Sequence, residues 1–323
     1  MTKPIVQLTR RLPEAVERAA AERFELRTNP DDHRFTVGEL QAALRGVDGI
    51  ICTLGDQLGA ATFEGGPWRA KILANFGAGT DHIDLAAAKA AGLVVTNTPG
   101  ALTDATADLA MALILMVTRR LGEGERELRA GKWIGWHPTH LLGTSLTGKT
   151  LGIVGFGRIG QATARRAALG FGMKIVYASR QARKAREALE DLHAVEMELD
   201  KVMQVSDVVS LHMPATSETI GMIDAGRIAL MRRGSYLINT ARGNVLDETA
   251  LIAALKDGRL AGAGLDVYPK EPAITPELLT LPNVVALPHL GSATVETRTA
   301  MGMRAVENLL ACFSGKEVLD PVG

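Results

Sequence analysis

Residues 151–160 read LGIVGFGRIG, an apolar strand that runs directly into the glycine pattern GxGxxG. In such a loop the first glycine permits a tight turn, the second lets a ligand approach the backbone, and the third allows close helix–strand contact. A bare GxGxxG also occurs in ordinary turns, but here an Ala-rich helical segment follows it, and a helix N-terminus favours an anion. The order strand, loop, helix therefore predicts dinucleotide binding. The predicted cofactor-binding residues of this loop are Gly155, Gly157, Arg158, Ile159 and Gly160.

On both sides of this loop, short apolar runs alternate with segments of helical period, which is typical of a parallel sheet covered by helices. The predicted strands of the first half are residues 5–8, 49–52, 72–75 and 93–96, and those of the second half are 151–154, 174–177, 208–211, 236–239, 264–267 and 284–287. The predicted helices include 13–23, 104–120 and 294–313. The pattern predicts an α/β protein with two Rossmann-like doubly wound domains.

The end of the chain decides how these domains are arranged. After the second strand series only one helical segment, 294–313, remains. One helix cannot form a domain, so we expect it to pack on the first half. The smaller domain is then discontinuous, with residues 1–99 joined to 292–323, and the dinucleotide domain, 100–291, is inserted into it.

Composition excludes several other classes of protein. Of the 323 residues 46% are apolar, and 36 Lys+Arg balance 36 Asp+Glu, so neither nucleic acid nor a membrane surface is an expected partner. The longest apolar run, residues 109–117, is far shorter than the roughly 20 residues of a membrane span. Two cysteines form no disulfide or metal framework, and the first residues lack the apolar stretch of a secretion signal, so we expect a cytoplasmic protein without a metal.

The basic residues after the second predicted strand of the dinucleotide domain favour NADP(H) as the cofactor, with NAD(H) as the second option. An NAD site usually has an acidic residue there, but residues 178–184 read ASRQARK, without an acid before Glu187. Ser179, Arg180 and Arg183 could instead bind a 2′-phosphate. The alternative is that these cations form a solvated helix start, although cations at a helix N-terminus are mildly unfavourable without an anion.

Three polar residues follow predicted strand ends in the second half: Arg242, Glu271 and His289. Taken singly they could be a surface arginine, a loop carboxylate and a capping histidine. Together they suit hydride transfer to a 2-keto acid, since a protonated histidine can supply the proton that the new alkoxide needs. A neighbouring carboxylate would favour the protonated imidazole, and an arginine can hold the substrate carboxylate and polarise the keto oxygen.

Several motifs resemble the D-isomer-specific 2-hydroxyacid dehydrogenase family, in the order found there and across essentially the whole chain. They are residues 155–160, 240–243, 266–272 and 288–291. Within that family the chain is most similar to the glyoxylate/hydroxypyruvate reductases. The resemblance implies that His289 is the acid/base, Glu271 its partner and Arg242 the substrate-binding cation. It also implies that the small discontinuous domain binds the substrate.

The resemblance extends to further contacts. Residues 75–84, NFGAGTDHID, resemble the substrate loop of the family, in which the backbone N–H groups of Ala78 and Gly79 would hold the substrate carboxylate. Leu54 would pack beside the substrate side chain, and His289 would also contact the substrate and the cofactor. The other cofactor contacts that it implies are Thr106, His212, Pro214, Thr219, Thr240, Ala241, Asp266 and Gly291.

The resemblance also implies a homodimer, with residues 132–138, KWIGWHP, in the segment that makes dimer contacts and Trp136 reaching the partner's active site. Alternatives within the same reaction class are a reductase for a bulkier 2-keto acid and a phosphite dehydrogenase. The alternative from another class is a cofactor-sensing, corepressor-like binding protein.

Overall fold

The computed structural model of the chain describes residues 2–180 and 192–323. These residues form two compact units. The first comprises the residues up to Leu102 together with Ala293–Gly323, and the second is Thr103–Ser292.

The first unit is built on a five-stranded parallel sheet. Its strands are β1 (Ile5–Leu8), β2 (Glu25–Arg27), β3 (Gly49–Thr53), β4 (Ile72–Phe76) and β5 (Val94–Thr96). Their order in the sheet is β2-β1-β3-β4-β5. Its described α-helices are Glu14–Arg23, Val37–Gly46, Leu85–Ala90 and Val295–Phe313. Apolar side chains on the two faces of the sheet belong to two separate clusters, so helices cover both faces, as a doubly wound sheet requires.

The last helix of the chain packs on this first sheet. Val306 and Leu309 lie in the same buried cluster as Val6 and Leu8 of β1. A Cβ on Gly302 would lie 2.5 Å from the side chain of Val16, so a glycine lets helices Glu14–Arg23 and Val295–Phe313 approach closely.

The second unit contains a seven-stranded parallel sheet. Its strands are β6 (Thr150–Val154), β7 (Lys174–Ala178), β8 (Val195–Glu196), β9 (Val208–Leu211), β10 (Ser235–Asn239), β11 (Leu260–Leu265) and β12 (Val284–Ala286). Their order in the sheet is β12-β11-β10-β9-β6-β7-β8. Its described α-helices are Thr103–Thr118, Leu121–Arg129, Arg158–Phe171, Leu199–Val205, Ala225–Leu230, Glu248–Lys256 and Pro276–Thr280. The strand order reverses between β6 and β9, which is where open α/β sheets bind ligands. The predicted α/β class with two Rossmann-like sheets is confirmed.

Some predicted boundaries are wrong. The strand predicted at 264–267 is Leu260–Leu265, and the short edge strands β2 and β8 were not predicted. A Cβ on Gly264 would lie 2.9 Å from Leu113 Cβ, so helix Thr103–Thr118 packs directly on β11. Glycine has a low strand propensity, so the close packing of this helix, and not propensity, explains the glycine in β11.

The predicted helix 104–120 extends two residues too far. The helix is Thr103–Thr118, and Arg120 adopts a left-handed φ of 55° before a second helix, Leu121–Arg129, begins. The Arg120 guanidinium binds Glu123 in the first turn of that second helix, 2.7 Å away, which stabilises the turn. Across the described residues, no helix has both the length and the hydropathy needed to span a membrane.

Candidate active site

The glycines of the loop after β6 have three different environments. A Cβ on Gly155, whose φ is +91°, would lie 2.5 Å from Met213 N, and one on Gly160 would lie 2.4 Å from the Gly155 carbonyl oxygen. A Cβ on Gly157 would meet nothing within 4 Å. Gly157 caps helix Arg158–Phe171, so open space lies beside the backbone at a helix N-terminus. This arrangement suits a pyrophosphate.

Three further predicted cofactor residues, His212, Pro214 and Thr219, follow β9, on the other side of the reversal in strand order. His212 donates its backbone N–H to the Val154 carbonyl, 2.7 Å away, and its Nε2 lies 2.8 Å from Ser210 Oγ. Burial lowers the pKa of His212 to about 4, so the ring is neutral near pH 7. Thr219 Oγ1 donates to the Pro214 carbonyl at 2.6 Å and thereby closes the loop that begins at Pro214.

The residues predicted to select the cofactor lie after β7. Ser179 follows the strand end directly, and Arg180 forms an ion pair with Glu218 of the loop after β9. Both partners are about two-thirds exposed, so the pair contributes little to stability and another anion can compete for the guanidinium. Arg183 lies outside the described residues. Glu218 was not predicted, because its spacing in sequence does not show that it meets Arg180.

Arg242 follows β10 in a turn held by the strand-end residue Asn239. Asn239 Nδ2 donates to the Arg242 carbonyl at 2.9 Å, and its Oδ1 accepts the Ala241 N–H at 3.0 Å. A Cβ on Gly243 would lie 1.9 Å from the backbone carbon of Tyr268. Only glycine therefore lets the turn that carries Arg242 pack against the start of the loop that carries Glu271.

The two remaining predicted catalytic residues are in direct contact. His289 Nδ1 lies 2.7 Å from Glu271 Oε2, and both side chains are about one-third exposed. Burial alone would raise the pKa of Glu271, but hydrogen bonds from His289 and from the Tyr268 N–H hold it below its ordinary value. The positive charges of His289 and Arg242 act in the same direction. Glu271 is thus a carboxylate kept ionised beside an imidazole.

Asp266, at the end of β11, fixes the turn that carries His289. Its carbonyl accepts the His289 N–H at 2.9 Å, and its two carboxyl oxygens accept the N–H groups of Leu290 and Gly291 at 2.6 and 2.8 Å. His289 has a left-handed φ of 54°, which is uncommon for a non-glycine residue and needs such support. Burial raises the pKa of Asp266 despite these bonds. Thr106 Oγ1 donates to the Gly291 carbonyl at 3.0 Å and anchors the same turn.

The second unit also offers polar atoms that a cofactor could satisfy. Thr240 Oγ1 and His212 Nδ1 are buried and have no hydrogen-bond partner among the described residues. Both follow strand ends near the reversal in strand order, with the open space beside Gly157 on the same edge. Buried unpaired polar atoms are costly and typically have a ligand or water as partner. These residues therefore fit a nicotinamide dinucleotide.

The predicted substrate residues Leu54, Ala78 and Gly79 belong to the first unit. Leu54 follows β3, and Ala78 and Gly79 follow β4; all three are partly buried. Their contact with substrate stays a prediction.

Comparisons with known proteins identify the family of the chain. Residues 111–291 match the family model described as D-isomer specific 2-hydroxyacid dehydrogenase, NAD binding domain. A glyoxylate reductase of Thermococcus litoralis is 46% identical over 318 residues, covering 97% of this chain and 95% of that protein.

Solved structures are similar over the whole chain. One from Thermus thermophilus is 43% identical with a TM-score of 0.89, covering 99% of this chain and all of that one. An NADPH-dependent glyoxylate/hydroxypyruvate reductase from Sinorhizobium meliloti, in complex with NADP and malonate, is 37% identical with a TM-score of 0.87 and covers 100% of this chain and 97% of that one. The chain belongs to the D-isomer specific 2-hydroxyacid dehydrogenase family.

Proposed function

We propose that this protein is an NADPH-dependent reductase of small 2-keto acids, which converts glyoxylate to glycolate and hydroxypyruvate to D-glycerate. The observation that carries the proposal is the contact of 2.7 Å between His289 and Glu271, with Arg242 close enough for its charge to act on Glu271. All three follow the ends of adjacent parallel strands in a dinucleotide-binding sheet. The names of the relatives support the substrate class, since they include glyoxylate reductases and a glyoxylate/hydroxypyruvate reductase.

The bound dihydronicotinamide would supply a hydride to the keto carbon of the substrate. The chain supplies the binding surface: the open backbone at Gly157 receives the pyrophosphate, and Gly155 and Gly160 hold the loop in shape. The remaining predicted residues would contact other parts of the same cofactor. They are Thr106, Arg158, Ile159, His212, Pro214, Thr219, Thr240, Ala241, Asp266 and Gly291.

His289 donates the proton. Because Nδ1 is engaged by Glu271, Nε2 is the nitrogen that faces the developing alkoxide. The ionised Glu271 stabilises the protonated ring and fixes its orientation. Arg242 holds the substrate carboxylate and stabilises negative charge on the reacting oxygen.

NADPH is preferred because the strand end after β7 carries Ser179 and Arg180, and no acidic residue, at the position that usually binds the ribose. The exposed Glu218 is the present partner of Arg180, and a 2′-phosphate would replace it with a doubly charged acceptor. The NADP that accompanies the Sinorhizobium meliloti reductase supports the same preference. NAD(H) is the second option.

The domains divide these tasks in the proposal. Residues 100–291 bind the dinucleotide, and residues 1–99 with 292–323 bind the substrate through Leu54 and the N–H groups of Ala78 and Gly79.

A homodimer is part of the proposal. Four large apolar side chains close together in sequence are each more than half exposed: Trp133, Ile134, Trp136 and Leu142. Exposed apolar groups of this size favour a protein contact, and a second copy of the chain is the partner that we propose. Light scattering should give twice the monomer mass, and Trp136→Ala should alter the preference between glyoxylate and hydroxypyruvate.

Product analysis tests the proposed reaction. Wild-type protein with NADPH and hydroxypyruvate should yield D-glycerate on chiral chromatography, and His289→Ala should lose about 10²–10⁴-fold in kcat. His33→Ala is a matched control, because His33 also contacts a glutamate, Glu39, at 3.0 Å but lies in the first unit. L-glycerate as product, or full turnover by His289→Ala, would overturn the proposal.

A further inference from the structure

Two side-chain amides bind the backbone of the loop after β4. Asn75 Nδ2 donates to the carbonyl oxygens of Gly77 and Gly79, at 3.1 and 2.9 Å. Asn97 Nδ2 donates to the carbonyl oxygen of Ala78 at 2.7 Å. The carbonyl groups of three successive residues therefore accept hydrogen bonds from two asparagine side chains.

This arrangement fixes where the N–H groups of the loop point. In a trans peptide the N–H of one residue is directed opposite to the carbonyl of the residue before it. The N–H groups of Ala78, Gly79 and Thr80 are consequently directed away from the two amides. Successive backbone N–H groups that are not hydrogen-bonded within the chain can form a concave binding site for an anionic oxygen.

Fold stability alone does not account for Asn75. Its side chain is fully buried, and Oδ1 has no hydrogen-bond partner in the parts of the chain that the structure describes, which disfavours the folded state. Rotating the amide would bring Oδ1 against two carbonyl oxygens, so Nδ2 must face the loop. A Cβ on Gly77 would lie 3.3 Å from Nδ2, so Gly77 leaves room for this amide.

We propose that Asn75 and Asn97 are positioning residues that hold the N–H groups of Ala78, Gly79 and Thr80 in place for the substrate carboxylate. The inference rests on the proposed reduction of 2-keto acids and adds to it the residues that shape the carboxylate site. Neither asparagine touches the substrate in this account. Each acts through the carbonyl oxygens that it binds.

Asn75→Ala and Asn97→Ala test the proposal, the second because Asn97 is only partly buried and its loss is less disruptive to folding. Thr98→Val is the matched control. Thr98 is buried beside the same loop and its Oγ1 has no partner among the described residues, whereas its backbone N–H, which donates to Gly77 O, is kept. For each protein we would measure KM and kcat for glyoxylate and Kd for NADPH. Calorimetry would give the affinity for oxalate of protein loaded with NADP⁺.

In both asparagine variants KM for glyoxylate and Kd for oxalate should rise together, roughly tenfold or more, as expected when hydrogen bonds to a charged group are misplaced. Kd for NADPH should stay within about twofold, and Thr98→Val should resemble wild type. The proposal is overturned if folded asparagine variants keep wild-type KM and oxalate affinity, or if Thr98→Val weakens both equally. Because oxalate binding needs no turnover, a wild type that binds oxalate but does not reduce glyoxylate would contradict the proposed reaction alone.

Discussion

His289 Nδ1 and Glu271 Oε2 are 2.7 Å apart, although the two residues follow different strands of the sheet. Two supports create this contact. The carboxyl group of Asp266 binds the turn after His289, and the N–H of Tyr268 binds Glu271 Oε1 at 2.9 Å. The pair therefore lies at the carboxyl edge of the second sheet, with backbone hydrogen bonds that support both residues.

The first prediction concerns Glu271→Gln. The substitution keeps the shape of the side chain but removes the charge that stabilises the protonated His289 ring. We expect kcat for glyoxylate reduction to fall by about 10–100-fold. Steady-state kinetics with glyoxylate measures this loss. A wild-type kcat in Glu271→Gln would show that Glu271 does not act on His289.

The second prediction separates two glycines of the dinucleotide loop. Gly157→Ala should keep the wild-type Tm, since the added Cβ meets no atom of the protein, yet raise Kd for NADPH roughly tenfold or more by occupying the path of the pyrophosphate. Gly155→Ala should instead lower Tm by several degrees, because its Cβ would collide with the backbone at Met213 and its φ is +91°. Fluorescence titration and thermal unfolding measure the two effects. Equal losses of Tm in both variants would contradict this division.

The third prediction concerns cofactor selectivity. Arg180→Ala should raise KM for NADPH about tenfold while KM for NADH changes little, since only NADPH carries the 2′-phosphate. Glu218→Gln should lower KM for NADPH, because it removes the carboxylate that competes for Arg180. Steady-state kinetics with both cofactors measures these changes. Equal increases of KM for NADPH and for NADH in Arg180→Ala would show that Arg180 does not bind the 2′-phosphate.

The fourth prediction is a pH dependence of stability. Burial lowers the pKa of His212 from 6.5 to about 4, so between these values the unfolded state binds more protons than the folded state. The contribution of a neutral His212 is fully present above pH 6.5 and is lost as the pH falls towards 4. The Tm of wild type should thus decrease more steeply over this interval than that of His212→Asn. If Tm depends on pH equally in the two proteins, His212 does not make this contribution to stability.

The glycine loop and the α/β class could be predicted because they depend on short sequence patterns. These patterns are the spacing of the three glycines and the apolar run of each parallel strand. Arg242, Glu271 and His289 could be proposed for the same reason: parallel strands end at one edge, so residues just after them are candidates to meet. The strand at Leu260–Leu265 was misplaced because its Ala and Gly residues have low strand propensity, and contact with helix Thr103–Thr118 places them in the sheet.

Contacts between loops could not be predicted. Glu218 meets Arg180, and Asn97 reaches the carbonyl of Ala78, across 38 and 19 residues of sequence respectively. No periodicity or motif connects such residues. Their roles follow only from hydrogen bonds in the folded chain, which is why the sequence does not identify the two amides that shape the loop after β4.

The most direct test of the proposed reduction of 2-keto acids is the initial rate of cofactor oxidation, followed by absorbance, with glyoxylate, hydroxypyruvate and a bulky 2-keto acid, each with NADPH and with NADH. We expect fast NADPH-dependent turnover of the two small acids and slow turnover of the bulky one. Absence of turnover with every acid and both cofactors would contradict it.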